Sequence, residues 1–174
     1  MIFCFNGFKA SFKATGKRLS LYTSMSDLKK QLHQLCANLI QQRLDAAQQA
    51  IEAAQQAAKD DTKSSAGDKY ETGREMMQQE TNRNMAQLTE ANKLLVALNH
   101  ISTNGQATIA EAGSIVVTDN GKFYLSVSAG TVALNGETYF AISPGSPIGL
   151  KMKGCRAGDT FSLNGKQYTI IEVL

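Results

Sequence analysis

From Ser26 to Ala66 the chain contains neither glycine nor proline, and Ala, Gln, Leu and Lys dominate. Such a stretch has few choices, because these residues are good helix formers and nothing interrupts the backbone ladder. Ser26 or Asp27 can cap its start, since either side-chain oxygen accepts a bond from an orphan N–H of the first turn. Apolar residues then fall at Leu28, Leu32, Leu35 and Leu39, with the alternating spacing of a heptad seam. The seam continues one step out of phase through Ile40, Leu44, Ala47, Ile51, Ala54 and Ala58, a slip that alters a supercoil locally. A helix from about Ser26 to Asp60 is roughly 50 Å long.

The pattern stops at Asp60-Asp61-Thr62-Lys63-Ser64-Ser65-Ala66-Gly67-Asp68, a polar stretch of small residues and carboxylates. A second helical pattern starts near Asp68 and runs to about Asn99 or Ser102, with Met77, Leu88, Ala91, Leu95 and Leu98 as its seam. Asn104-Gly105 supplies a stop, because glycine tolerates the left-handed conformation after a helix. Two patterns of similar length joined by a short break predict an antiparallel helical hairpin over residues 26–104. Its seam thins from Leu and Ile to Ala and Gln toward the break, so the far end is expected to be slender. Asp60, Asp61 and Asp68 would sit at that far tip. On periodicity alone, a plain dimerisation hairpin with solvated faces fits equally.

Residues 105–174 have a different texture, rich in Gly and in alternating Val, Ile, Tyr and Phe. Asn120-Gly121, Asn135-Gly136 and Asn164-Gly165 each separate two strand-like runs, and Asn-Gly is among the strongest hairpin signals. Ser146-Pro147 reads as N-cap followed by first helical residue, starting a short helix that ends near Lys153-Gly154. The expected fold class is therefore α+β: a long antiparallel coiled-coil hairpin, then a small antiparallel β domain with one short helix. At this size the β domain has a marginal core, so the hairpin base is expected to pack on it.

Composition excludes several functions. The net charge of +3 is too small to require a nucleic-acid partner. Cys4, Cys36 and Cys155 are far apart and form no CxxC pair, which argues against a disulfide framework or a zinc site and fits a reducing cytoplasm. Cys155, after a glycine, is the candidate exposed thiol, and Cys36 belongs to the seam. No apolar run reaches the ~18 residues of a membrane span. His33 and His100 both lie in helical patterns and read as structural. No phosphate-binding loop, dinucleotide fingerprint or nucleophile elbow occurs. Tyr124, Tyr139 and Tyr168 lie on strands and read as core. Residues 1–25 carry Lys9, Lys13, Lys17 and Arg18 and no acid. They read as a disordered leader, with Met1 or Met25 as the true start.

Within the β domain, Ile142-Ser143-Pro144-Gly145-Ser146-Pro147-Ile148-Gly149, then Lys153-Gly154, Gly158-Asp159 and the closing Ile170-Ile171-Glu172-Val173, resemble the carboxy-terminal domain of bacterial Gre-type transcription elongation factors. The order of a long hairpin followed by this domain is similar too. The resemblance covers roughly residues 26–174. At the tip, Tyr70-Glu71-Thr72-Gly73-Arg74-Glu75 resembles the family's Tyr-x-x-x-Arg-Glu at the start of the second helix. The family places an Asp and a Glu before that Tyr; ungapped counting puts Lys63 and Ala66 at those positions. A shifted alignment recruits Asp60 or Asp61 together with Asp68.

The resemblance implies an FKBP-like fold for the β domain and indirect catalysis by the tip. A Gre hairpin enters the secondary channel of RNA polymerase, and its tip carboxylates help hold the second magnesium ion while the polymerase cuts its own backtracked transcript. By that resemblance the tip carboxylates are Asp60, Asp61 and Asp68, with Asp61 and Asp68 as candidate ligands of the shared Mg2+. The chain itself would be no enzyme and carry no intrinsic cofactor. It would reach nucleic acid only through the polymerase, act in the cytoplasm, and use neither a membrane nor a small-molecule substrate. Alternatives are a secondary-channel regulator without cleavage activity and a plain coiled-coil interaction or chaperone module. A likeness to prolyl-isomerase folds would not imply isomerase activity, since fold is not function.

Overall fold

The computed structural model describes residues 14–61, 69–105 and 107–174, with side chains described for 26–57, 73–105 and 107–174. Two long helices, α1 (Ala14–Asp61) and α2 (Lys69–Asn99), form a hairpin. A six-stranded sheet follows: β1 (Ile115–Thr118), β2 (Gly121–Leu125), β3 (Gly130–Leu134), β4 (Glu137–Ile142), β5 (Thr160–Leu163) and β6 (Lys166–Val173). One short helix, α3 (Pro147–Met152), sits between β4 and β5. The α+β class and the order of hairpin before sheet are as expected from the sequence.

The helix start differs. Ser26 and Asp27 were expected to cap α1, yet α1 begins at Ala14 and runs straight through them, into the segment read as a leader. A capping residue ends a helix only when the residues before it leave the helical conformation. Here the backbone enters from upstream already helical, and neither side chain has an orphan N–H to serve.

The buried line of α1 also differs from the predicted seam. Leu32, Cys36, Ile40 and Leu44 are all buried, followed by Ala47 and Ile51, while Leu35 and Leu39 are only half-buried. No phase slip is needed. In this region α1 is covered on two sides, by α2 and by the sheet, so a wider stripe than a coiled-coil seam goes inside. On α2 the buried residues Asn84, Ala91 and Leu98 recur at heptad spacing, with Thr81, Leu88 and Leu95 half-buried between. Asn84 escaped sequence reading because Asn is seldom assigned to a seam. Its buried Nδ2 has no partner among the described residues, a cost of about 1–3 kcal/mol.

The strand order is β3-β4-β2-β1-β6-β5. The sheet is not wholly antiparallel as predicted, for β2 and β4 pair in parallel, Phe123 beside Phe140. Residues 126–129 span from β2 past one strand position to β3, and β4 then returns into the gap. That gap is about 10 Å, within reach of four extended residues. Asn135-Gly136 and Asn164-Gly165 form the predicted two-residue turns, with φ of 54° and 78°, and 53° and 77°. A bulge in the β1–β6 pairing lies opposite Val117 and Thr118 and turns Ile171 outward, so that Ile170 and Val173 can share one face.

Both faces of the sheet are covered. One, with Ile115, Tyr124, Val132, Tyr139 and Ala141, joins the buried residues of α1 and α2 in a single core. The other, with Val116, Phe123, Leu125 and Ile170, takes Met152 of α3. Each fully buried Leu, Ile or Met contributes about 1.5–3 kcal/mol relative to exposure. Tyr124 and Tyr139 are core residues as predicted, whereas Tyr168 is half-buried and stacks on Phe161 at 4.9 Å.

Candidate functional site

The base of α1 is tied at two points, to the segment that leaves α2 and to the connection between β2 and β3. The Nζ of Lys29 donates to the carbonyl of Gly105 at 2.9 Å, and the guanidinium of Arg43 donates to the carbonyl of Ala129. Lys29 is only 4 % exposed; burial pushes its pKa down, and the charge of Glu111 partly opposes that shift. With the shared core, these bonds aim the hairpin from the β domain as a fixed arm.

Along the arm, packing fades. Ile51 on α1 and Asn84 on α2 are the last buried residues before the far end. Beyond them, Ala54, Gly73, Met77 and Thr81 are half-buried and every other described side chain is exposed. From Ile51 to Asp61 the helix advances about 15 Å. The outer arm is therefore two helices in contact through Ala54, Gly73, Met77 and Thr81, a rod about 20 Å across.

Asp60 and Asp61 are the last two residues of α1. Their side chains, all of Asp68 and the connection 62–68 lie outside the described residues, as do Lys63 and Ala66. The position of Asp60 and Asp61 still carries information. A carboxylate in the last helical turn opposes the helix macrodipole, typically by 0.3–1 kcal/mol per charge at an exposed site, about the size of a weak ion pair.

In the β domain, the stretch from Ser143 to Asp159 forms a tightly bonded cap. Ser146 Oγ accepts from the Gly149 amide at 3.1 Å and donates to the Ser143 carbonyl at 2.7 Å, with Pro147 opening α3. A Cβ on Gly149 would lie 2.2 Å from the Ser143 carbonyl oxygen. The Gly154 amide donates to Ala110, the Ala110 amide to Cys155, and the Arg156 amide to Asp159 Oδ2 at 2.7 Å. The outer side of α3 presents Leu150, 62 % exposed, beside the exposed Lys151 and Lys153.

A second group of polar atoms lies under α1. Tyr124 Oη and His33 Nδ1 are buried without hydrogen-bond partners in the protein, and Ser126 Oγ is buried beside the Cys36 thiol, which Tyr124 also neighbours. Burial pushes the Cys36 thiol up to about 11 and Tyr124 upward as well. A thiol that holds its proton is a poor nucleophile. His33 is depressed by burial and His100 is exposed, in keeping with their structural reading. Cys155 is half-buried rather than exposed, with its Sγ 3.2 Å from the Lys151 carbonyl; burial, then Asp159, pushes its pKa up. Among the described residues, no three His, Cys, Asp or Glu side chains converge as a metal site. A shallow open groove beside Thr89, Asn92, Lys93, Val96 and Ala97 brings together no reactive groups. No described helix is long and apolar enough to cross a membrane.

The class defined by this geometry is an α+β protein in which a β domain carries a projecting helical hairpin. No protein-family model matches the chain, and no curated protein matches it. Among solved structures, it is similar to one titled "Structure of the transcription factor Gfh1", at 18 % identity over 80 % of this chain and 93 % of that one, with a TM-score of 0.35.

Proposed function

We propose that this chain is a Gre-like elongation factor that inserts its hairpin into the secondary channel of bacterial RNA polymerase and stimulates cleavage of backtracked transcripts. The observation that carries the reading is the outer arm: two helices with no buried side chain among the described residues beyond Ile51 and Asn84, with Asp60 and Asp61 as the last residues of α1. The resemblance of residues 142–159 and 170–173 to the Gre carboxy-terminal domain supports it. In this reading the β domain and the hairpin sides hold the polymerase, and Asp60, Asp61 and Asp68 work at its active site.

The carboxylates suit that task. Mg2+ takes hard oxygen ligands and keeps several waters, so one or two added carboxylates can complete a site already formed by another protein. Asp61 and Asp68 are the candidate ligands. The ion belongs to the polymerase, and the chain needs no cofactor of its own. Lys63 and Ala66, at the positions where the resemblance leads to acids, favour a second reading in which the hairpin occupies the channel and regulates transcription without cleavage.

Replacing Asp60, Asp61 and Asp68 together by Ala is expected to change stability by no more than about 0.5 kcal/mol, the usual range for surface sites. Polymerase binding should persist and cleavage of a stalled, backtracked transcript should disappear. Wild-type protein that binds but never cleaves at any magnesium concentration selects the regulator. A variant that cleaves normally removes the tip assignment, and a chain that does not bind polymerase removes both readings.

A further inference from the structure

The sheet ends at β3, and among the described residues no strand pairs with this edge. The two-residue turn at Asn135-Gly136 makes Leu134 and Glu137 a hydrogen-bonded pair, and such pairs alternate along an antiparallel ladder. Val132 with Tyr139 and Gly130 with Ala141 are therefore bonded, while Ala133 with Thr138 and Thr131 with Phe140 are not. The N–H and C=O groups of Thr131 and Ala133 point away from β4. Both residues are exposed, and no turn, loop or side-chain hydrogen bond among the described residues takes up these groups. Natural edges are blunted by Lys, Pro, a bulge or a covering element. The strand Gly130-Thr131-Val132-Ala133-Leu134 has no charge, no proline and a regular register. Helix α1 packs on the Val132 face of the sheet, and its Arg43 bonds Ala129 just before β3, but neither takes up the outward groups of Thr131 and Ala133.

We propose that β3 is a self-association edge, pairing antiparallel with β3 of a second copy about a two-fold axis through Val132. The register follows from which groups are free. Thr131 then faces Ala133 of the partner subunit, and Ala133 faces Thr131 of the partner subunit. These are the residues whose amides and carbonyls point outward, so the two pairs exchange four backbone hydrogen bonds. The facing side chains are small and uncharged, so the symmetry sets no like charges opposite each other. Gly130 comes opposite Leu134 of the partner subunit, which brings Arg43, at Ala129, to the end of the partner's hairpin closed by Glu137. Glu137 is already paired with Lys122 and Tyr139 of its own chain, so the backbone bonds rather than this charge contact hold the pair together. The other edge, β5, also has outward groups at Thr160 and Ser162, but it is one residue shorter and is flanked by the charged residues Asp159 and Lys166. The interface is small, so the dimer is weak and concentration-dependent. It joins two β domains into a continuous sheet.

The test is sedimentation equilibrium of the full chain from about 5 to 500 µM, the range in which a weak dimer with a micromolar Kd fills. Wild-type mass should rise toward that of a dimer. Thr131→Lys with Ala133→Lys places like charges opposite each other at both pairs and should weaken association by about tenfold or more. Thr131→Glu with Ala133→Lys changes the same two exposed sites but sets Glu opposite Lys, and it should associate as wild type does. In parallel, amide exchange at Thr131 and Ala133 should slow as wild-type concentration rises, a readout that needs no variant to fold. A monomer throughout the range overturns the proposal, as does unchanged exchange at these two amides. Association that survives the double Lys change, or that both variants lose, overturns the register. Edge capture of an extended segment of another protein while this chain stays monomeric overturns the choice of a second copy.

Discussion

Gly149→Ala should damage the β domain well beyond what an alanine in a helix would suggest. A Cβ at this position lies 2.2 Å from the Ser143 carbonyl oxygen and 3.0 Å from Pro144 Cα. Ordinary close C···O contacts are about 3.3–3.6 Å, so one side must move by roughly 1 Å. The oxygen is not free to do so. It accepts both the Ser146 amide at 2.9 Å and the Ser146 hydroxyl at 2.7 Å, and that hydroxyl in turn caps α3. Displacing it weakens two bonds of about 1 kcal/mol each and adds overpacking of about 1–3 kcal/mol. Alanine's helix propensity returns about 1 kcal/mol. The net loss is about 2–4 kcal/mol, or roughly 4–16 °C in Tm for a chain of this size. Denaturant and thermal unfolding measure it, followed by a probe in the β domain in case the hairpin melts separately. A variant within about 0.5 kcal/mol of wild type would refute the rigid-cap argument.

Gly73→Ala should have the opposite sign. Gly73 lies inside α2, and a Cβ there meets nothing within 4 Å, so the change should stabilise the hairpin by about 0.5–1 kcal/mol, read as increased helicity at the midpoint. Alkaline stability should depend on Cys36. Its pKa is raised by burial from 9.0 to about 11, so between these values the unfolded chain loses the proton while the folded chain keeps it. Stability therefore falls with rising pH, by up to about 2.7 kcal/mol once both limits are passed. Cys36→Ala, though less stable at neutral pH, should fall by about 1 kcal/mol less than wild type between pH 9 and 10, and equal slopes would show that the thiol is not withheld from water.

Much of this protein is written in local pattern. The uninterrupted helix formers, the polar break at 60–68, the Asn-Gly turns and Ser146-Pro147 specify hairpin, strands and short helix, because each depends on the conformational preferences of neighbouring residues. The tip carboxylates are legible as candidates for the same reason: they stand in a polar break, outside the apolar seams of the two helices. What local pattern could not supply was partnership. The cap at Ser26 went unused because the helix reaches back to Ala14. The straight buried line Leu32-Cys36-Ile40-Leu44 exists because the sheet covers a second side of α1. Asn84 is inside because its heptad position outweighs its polarity. The parallel pairing of β2 with β4 depends on where residues 126–129 carry the chain, and the free edge of β3 depends on the strand order that results. Glycine at 149 looks optional in a sequence and becomes obligatory only when the Ser143 carbonyl is set against it. Each is a long-range contact, decided by which surfaces meet after the chain has folded.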